Sequence, residues 1–230
     1  MSEGLGVVML ETRFPRPRGD IGNSATFDFP VRYRTVSGAS PRRVVVERDR
    51  SLLAPFVAAA RSLESEGVAA VTTSCGFLAL FQREMAAALA VPMWTSSLLL
   101  VAEIEAGWRD GRRVGVVTAD AASLTAEHLR AVGARTDTPI EGLALDSLFR
   151  ATLLDDRIEL DVDEAARATV AAAERLVARH PEVAAIVLEC TNLPPYADAV
   201  RAATGLPVHD ITTLVRARLA GLATVGNAAA

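Results

Sequence analysis

Cysteine is scarce in this chain, with two in 230 residues, so no disulfide framework can be built, and a reducing compartment would keep both as thiols. Histidine is nearly as rare. His128, His180 and His209 have no ligand-like spacing to either cysteine, which argues against a zinc site. Charge of one sign is also lacking: 24 basic and 28 acidic residues are interspersed for a net charge of −4. Nucleic acid and anionic membrane surfaces, which demand a basic footprint, are therefore not expected as partners. No apolar run reaches the roughly 18–20 residues that a spanning helix needs. The opening MSEGLGVVMLETRF has no basic segment before its short apolar run, so a soluble cytoplasmic protein is expected. Nor is there a glycine-rich phosphate loop, because GRRVGVV lacks the spacing of a dinucleotide motif.

What is abundant is apolar residues, half of the chain, enough for one large core or two smaller ones. Short β-branched runs alternate with alanine-rich stretches of helical length, the pattern of βα units around a parallel sheet. The spacing predicts strands at about 5–10, 43–47, 68–73, 91–94, 113–118, 140–144, 183–189 and 206–209. Helices are expected at 51–65, 77–90, 97–109, 122–131, 163–179, 195–204 and 211–220. The fold class is α/β. The loop Thr12 to Ser24, rich in proline, glycine and arginine, should lie over the carboxyl end of the first strand, where open α/β sheets place ligands. The tail 221–230 has little to pack and is expected to fray.

An internal repeat changes the reading. Sliding the chain by 115 positions, the separation of Cys75 and Cys190, lays VAAVTTSCGFL (68–78) on VAAIVLECTNL (183–193) and Pro92 on Pro207. An offset of 109 lays LGVVML (5–10) on VGVVTA (114–119). Alanine matches mean little here, but cysteine and proline are scarce, and duplication of a βα-rich lobe is the economical explanation.

Each cysteine ends a β-rich run and precedes a helix. Its sulfur should lie beside a helix amino terminus, where exposed N–H groups favour the thiolate and lower the thiol pKa. If the repeat forms a pseudo-twofold pair of lobes, the sulfurs face one cleft from opposite walls. One thiolate could then take a proton from one face of an acidic C–H carbon while the opposite thiol delivers one to the other. The pair would share a single proton and titrate as a unit. Packing alone and a redox disulfide are the competing roles for the two residues.

The segments TTSCGF (72–77) and ECTN (189–192), with VGVVTADAASLT (114–125) between them, resemble the aspartate/glutamate racemase superfamily over nearly the whole chain. That group includes glutamate, aspartate and hydantoin racemases, maleate isomerase and arylmalonate decarboxylase. The resemblance implies two pseudo-symmetric lobes, each a parallel sheet flanked by helices, with the active site in the cleft between. Lobe one would be 1–95 plus 211–230, and lobe two 96–210. It implies Cys75 and Cys190 as the catalytic acid/base pair, with Ser74, Gly76, Thr118, Thr191 and Asn192 near a substrate carboxylate. It also implies no metal, no cofactor and a homodimer. Glutamate racemases carry an aspartate and a serine after the first strand and Thr-His after the second cysteine; here Glu11, Thr12, Arg13 and Thr191-Asn192 replace them.

Two loop residues complete the candidate site: Arg13, as a bidentate partner for a carboxylate, and Asn23, as part of a closing loop with Asp20. His209, at the repeat position of Trp94, and the aromatics of FDFPVRY (27–33) are assigned to structure. The function expected is cofactor-independent racemisation or epimerisation of a small carboxylic acid. A decarboxylase or cis-trans isomerase relying on one principal cysteine, or a non-catalytic small-acid-binding domain, remains as the alternative.

Overall fold

The computed structural model describes residues 4–228. Its strands are β1 (Leu5–Leu10), β2 (Val31–Val36), β3 (Ala70–Thr73), β4 (Met93–Trp94), β5 (Arg113–Thr118), β6 (Ile140–Gly142), β7 (Val183–Leu188) and β8 (Val208–His209). They form two four-stranded sheets, ordered β2-β1-β3-β4 and β6-β5-β7-β8, with every pairing parallel. The inner strands LGVVML and RVGVVT are buried almost throughout, as befits parallel strands covered on both faces. Helices α1 (Leu53–Ser65), α2 (Gln82–Ala87), α3 (Leu99–Glu105), α4 (Ala126–Ala131), α5 (Leu148–Leu154), α6 (Val162–Arg179), α7 (Ala197–Thr204) and α8 (Ile211–Ala228) flank them. This is the two-lobed α/β architecture, with related sheet orders in both halves.

The repeat is visible in the hydrogen bonds. Val71 N–H donates to the Pro92 carbonyl and Ile186 N–H to the Pro207 carbonyl, both at 2.9 Å. Ser74 N–H reaches the Val8 carbonyl at 2.9 Å, and Glu189 N–H reaches that of Val117 at 2.8 Å. Proline at 92 and 207 thus supplies a carbonyl to the neighbouring strand without needing a donor of its own. The chain returns at its end to the first sheet, where Ile211, Leu214 and Val215 of α8 join Leu5, Val7, Ala70 and Trp94 in one buried cluster.

Three expectations are corrected. The second strand of the first sheet is 31–36, not 43–47; the latter region is a π-helix, Arg42–Val46, whose Val44 and Val45 are buried. An apolar run of that length fits either a strand or a buried helix, and here it packs beneath the cleft. Helix α5, absent from the expected pattern, is set by Ser147, whose side chain caps the Arg150 N–H. The stretch expected to fray is helical through Ala228, and residues 229–230 lie outside the described residues.

Candidate active site

Two short loops leave the carboxyl ends of the central strands β3 and β7. After β3, Cys75 takes an extended conformation and starts a 3-10 helix, Gly76–Phe81. The Thr73 hydroxyl pins this turn, donating to the Thr95 carbonyl at 2.7 Å. The Ser74 hydroxyl accepts the Leu10 N–H at 2.9 Å and locks the loop to β1. After β7, Glu189 and Cys190 lead into a turn closed by Leu193 N–H on the Cys190 carbonyl at 3.1 Å, which matches Leu78 on Cys75 at 3.1 Å. The two loops are tied together: Thr191 donates its hydroxyl to the Ser74 carbonyl at 2.6 Å.

Both cysteines line one pocket of about 390 Å³, counting its open mouth. Ser74, Gly76, Thr191 and Asn192 line it too, together with Arg16. Leu10, Phe14, Phe77, Leu153 and Leu154 add apolar lining. Neither cysteine is in a disulfide. Among the described residues no cluster of His, Cys, Asp and Glu has the makings of a metal site.

The expected thiolate character is corrected. Burial, followed by the charge of Glu189, pushes the Cys75 thiol up to about 12, and the same two causes push Cys190 well above its ordinary value. The backbone N–H groups of Phe77, Leu78 and Asn192 do act in the favourable direction. They are outweighed because the helix after Cys75 is a short 3-10 turn and Cys75 is only 7% exposed. Burial and the neighbouring carboxyl thus both favour the thiol form of each cysteine.

Three candidates lie off the pocket wall. Arg13 points to the surface, 71% exposed, and pairs with Asp156 at 3.0 Å. Asn23 shapes its loop, donating to the Arg16 carbonyl at 2.8 Å and accepting the Ala25 N–H at 2.9 Å. Thr118 is fully buried and donates to Glu189 Oε2 at 2.6 Å.

Arginine does reach the pocket from the expected loop, but at position 16. Its guanidinium donates to Asp20 Oδ1 at 2.8 Å and Thr12 Oγ1 at 2.9 Å, and lies 4.7 Å from the Phe14 ring centroid. Buried Asp20 also accepts the Asn192 side-chain amide at 2.6 Å. One carboxylate thereby links the first loop to the second cysteine loop. Of the five guanidinium N–H groups of Arg16, those not engaged by Asp20 and Thr12 remain available to an anion. Glu189 is the other residue that sequence reasoning missed. Its signal was a lone acid closing the apolar run VAAIVL.

Two lobes of parallel α/β structure, with a cysteine after a central strand of each and both cysteines on one pocket, define the class of fold. Residues 30–218 match the Asp/Glu/Hydantoin racemase family, and the chain belongs to it. The chain is 32% identical over 214 residues to a dimethylsulfoniopropionate lyase of Durusdinium sp. clade D, covering 90% of this chain and 70% of that one. It is 32% identical over 231 residues to dimethylsulfoniopropionate lyase 3 of Emiliania huxleyi, covering 95% of this chain and 59% of the relative. This chain thus spans about three fifths of the Emiliania protein. Among solved structures, unliganded arylmalonate decarboxylase matches with a TM-score of 0.56 and 19% identity, covering 90% of this chain and 86% of the other. A glutamate racemase isoform from Bacillus anthracis matches with a TM-score of 0.59 and 13% identity, covering 98% and 84%. At these identities the structural matches speak to the fold.

Proposed function

We propose that this chain removes the proton α to the carboxylate of a small acid, using Cys75 and Cys190, and that the leading reaction is β-elimination from a sulfonium acid of the dimethylsulfoniopropionate type. The supporting observation is that both cysteines line the same pocket, much of whose lining is apolar. The carboxylate end would meet Arg16 and the N–H groups of the two cysteine turns. The sulfonium methyls would lie against Phe14, Phe77 and the leucines, where a desolvated cation and an aromatic face attract.

In such an elimination a thiolate takes the α-proton and the C–H electron pair becomes the C=C bond. The C–S bond breaks with its pair going to sulfur, so dimethyl sulfide and acrylate leave. Only one base is required. That suits a pocket whose halves are unlike, and it agrees in chemistry with relatives named as lyases of this substrate. Incubation with dimethylsulfoniopropionate should release dimethyl sulfide and acrylate in equal amounts. Release no faster than in buffer would reject the lyase assignment.

Racemisation or epimerisation is the second reading, favoured by the repeat-equivalent placement of the two sulfurs. It requires α-deuterium incorporation with inversion for a chiral acid in deuterium oxide, with no sulfide released.

A further inference from the structure

Glu189 is fully buried beside Cys190, and its repeat partner in the other lobe is the neutral Ser74. Oxygen Oε2 accepts the Thr118 hydroxyl, but Oε1 is buried with no hydrogen-bond partner. The free oxygen lies against Gly76, where a Cβ would collide with it. Gly76 follows Cys75, so one carboxyl touches both cysteine loops. Among the described residues, the first loop brings the paired Arg16 and Asp20 to this cluster, the second cysteine turn brings the Asn192 side chain, β5 brings the Thr118 hydroxyl, and the segment before α3 brings the Ser97 hydroxyl, which donates to the Leu188 carbonyl at 2.8 Å.

A buried carboxylate with an idle oxygen is costly. A second negative charge on a nearby sulfur would be costlier still, so the three groups titrate together. We propose that Glu189 is a positioning residue that governs thiolate formation: ionised, it makes a thiolate at Cys75 or Cys190 harder to form, and neutral, it makes one easier to form. The proposal rests on the assignment of the two cysteines as the acid/base pair. Burial raises the Glu189 carboxyl to about 7, so this control operates near neutrality. Lobe two therefore carries a brake that lobe one lacks.

The test needs no substrate. Alkylation of each cysteine by iodoacetamide can be followed by peptide mass spectrometry from about pH 6 to about pH 10, with thiolate as the reacting form. In Glu189→Gln, which keeps shape and removes charge, alkylation at about pH 8 should be about tenfold faster, the change produced by a thiol pKa lower by about one. Thr118→Val removes the bond that favours the ionised carboxyl. It should speed alkylation only in a window just above about pH 7 and leave lower pH unchanged. Superimposable profiles for the native chain and both variants, or slower alkylation in Glu189→Gln, would overturn the proposal. If Glu189→Gln fails to fold, the Thr118→Val window decides. Because no substrate is present, a failure here leaves the α-proton reading intact, and a failure of that reading leaves this result interpretable.

Discussion

The two cysteine turns share a backbone and differ in almost every neighbouring side chain. Each sulfur follows a central strand, and each turn is closed by the same carbonyl bond three residues on. Yet Ser74 in lobe one corresponds to Glu189 in lobe two, Gly76 to Thr191, and Phe77 to Asn192. The residues flanking Cys75 in sequence are thus a hydroxyl, a glycine and an aromatic ring, and those flanking Cys190 are an acid, a hydroxyl and an amide. The repeat supplies two cysteines on one pocket, and the residues beside them make the halves unlike. A reaction that inverts a centre benefits from matched halves, whereas an elimination benefits from one base and one soft, apolar wall.

The comparison is broken most directly at the sulfurs. Cys75→Ser and Cys190→Ser should each lower turnover, by about 10²–10⁴-fold for the one that acts as base and by less for the other; equal losses would argue for matched roles. Asp20 ties the first loop to the second cysteine turn through Arg16 and Asn192. Asp20→Ala, which strands a mostly buried guanidinium, should cost about 3–5 kcal/mol in denaturant unfolding. At the point where the halves touch, Gly76→Ala would force a methyl into Glu189. A loss of about 1–3 kcal/mol is expected from such overpacking, together with reduced turnover.

The acid also marks lobe two in stability. A carboxyl raised from 4.5 to about 7 binds its proton more tightly when folded. Its contribution is complete below the unfolded value and is lost as pH rises through the folded one. The native melting temperature should therefore fall, relative to Glu189→Gln, as the pH is raised across that window. Arg13→Ala lies at the bottom of the scale. Its exposed pair with Asp156 should be worth less than about 1 kcal/mol, with turnover unchanged.

The α/β class, the repeat and the pairing of Cys75 with Cys190 were legible because scarce residues recurred at fixed offsets where strands end. Apolar run length alone could not separate β2 from the π-helix at 42–46, since burial rather than periodicity decides there. Which arginine of the first loop turns inward was equally unreadable. Arg16 is held by Asp20, Thr12 and the Phe14 ring, contacts that exist only once the loop has folded over β1. The thiol pKa was misjudged for a related reason. Position relative to a helix start can be read from sequence, but depth of burial and the nearness of Glu189 to the Cys75 turn cannot.

The central claim is that Cys75 and Cys190 work on one α-carbon. Dimethylsulfoniopropionate in deuterium oxide, followed by NMR with the native chain and each serine variant, tests it most directly. The native chain should form acrylate, the base variant should form it about 10²–10⁴-fold more slowly with no faster α-deuteration, and the other variant should be slowed less. Acrylate or α-deuteration at the native rate in both variants would contradict it.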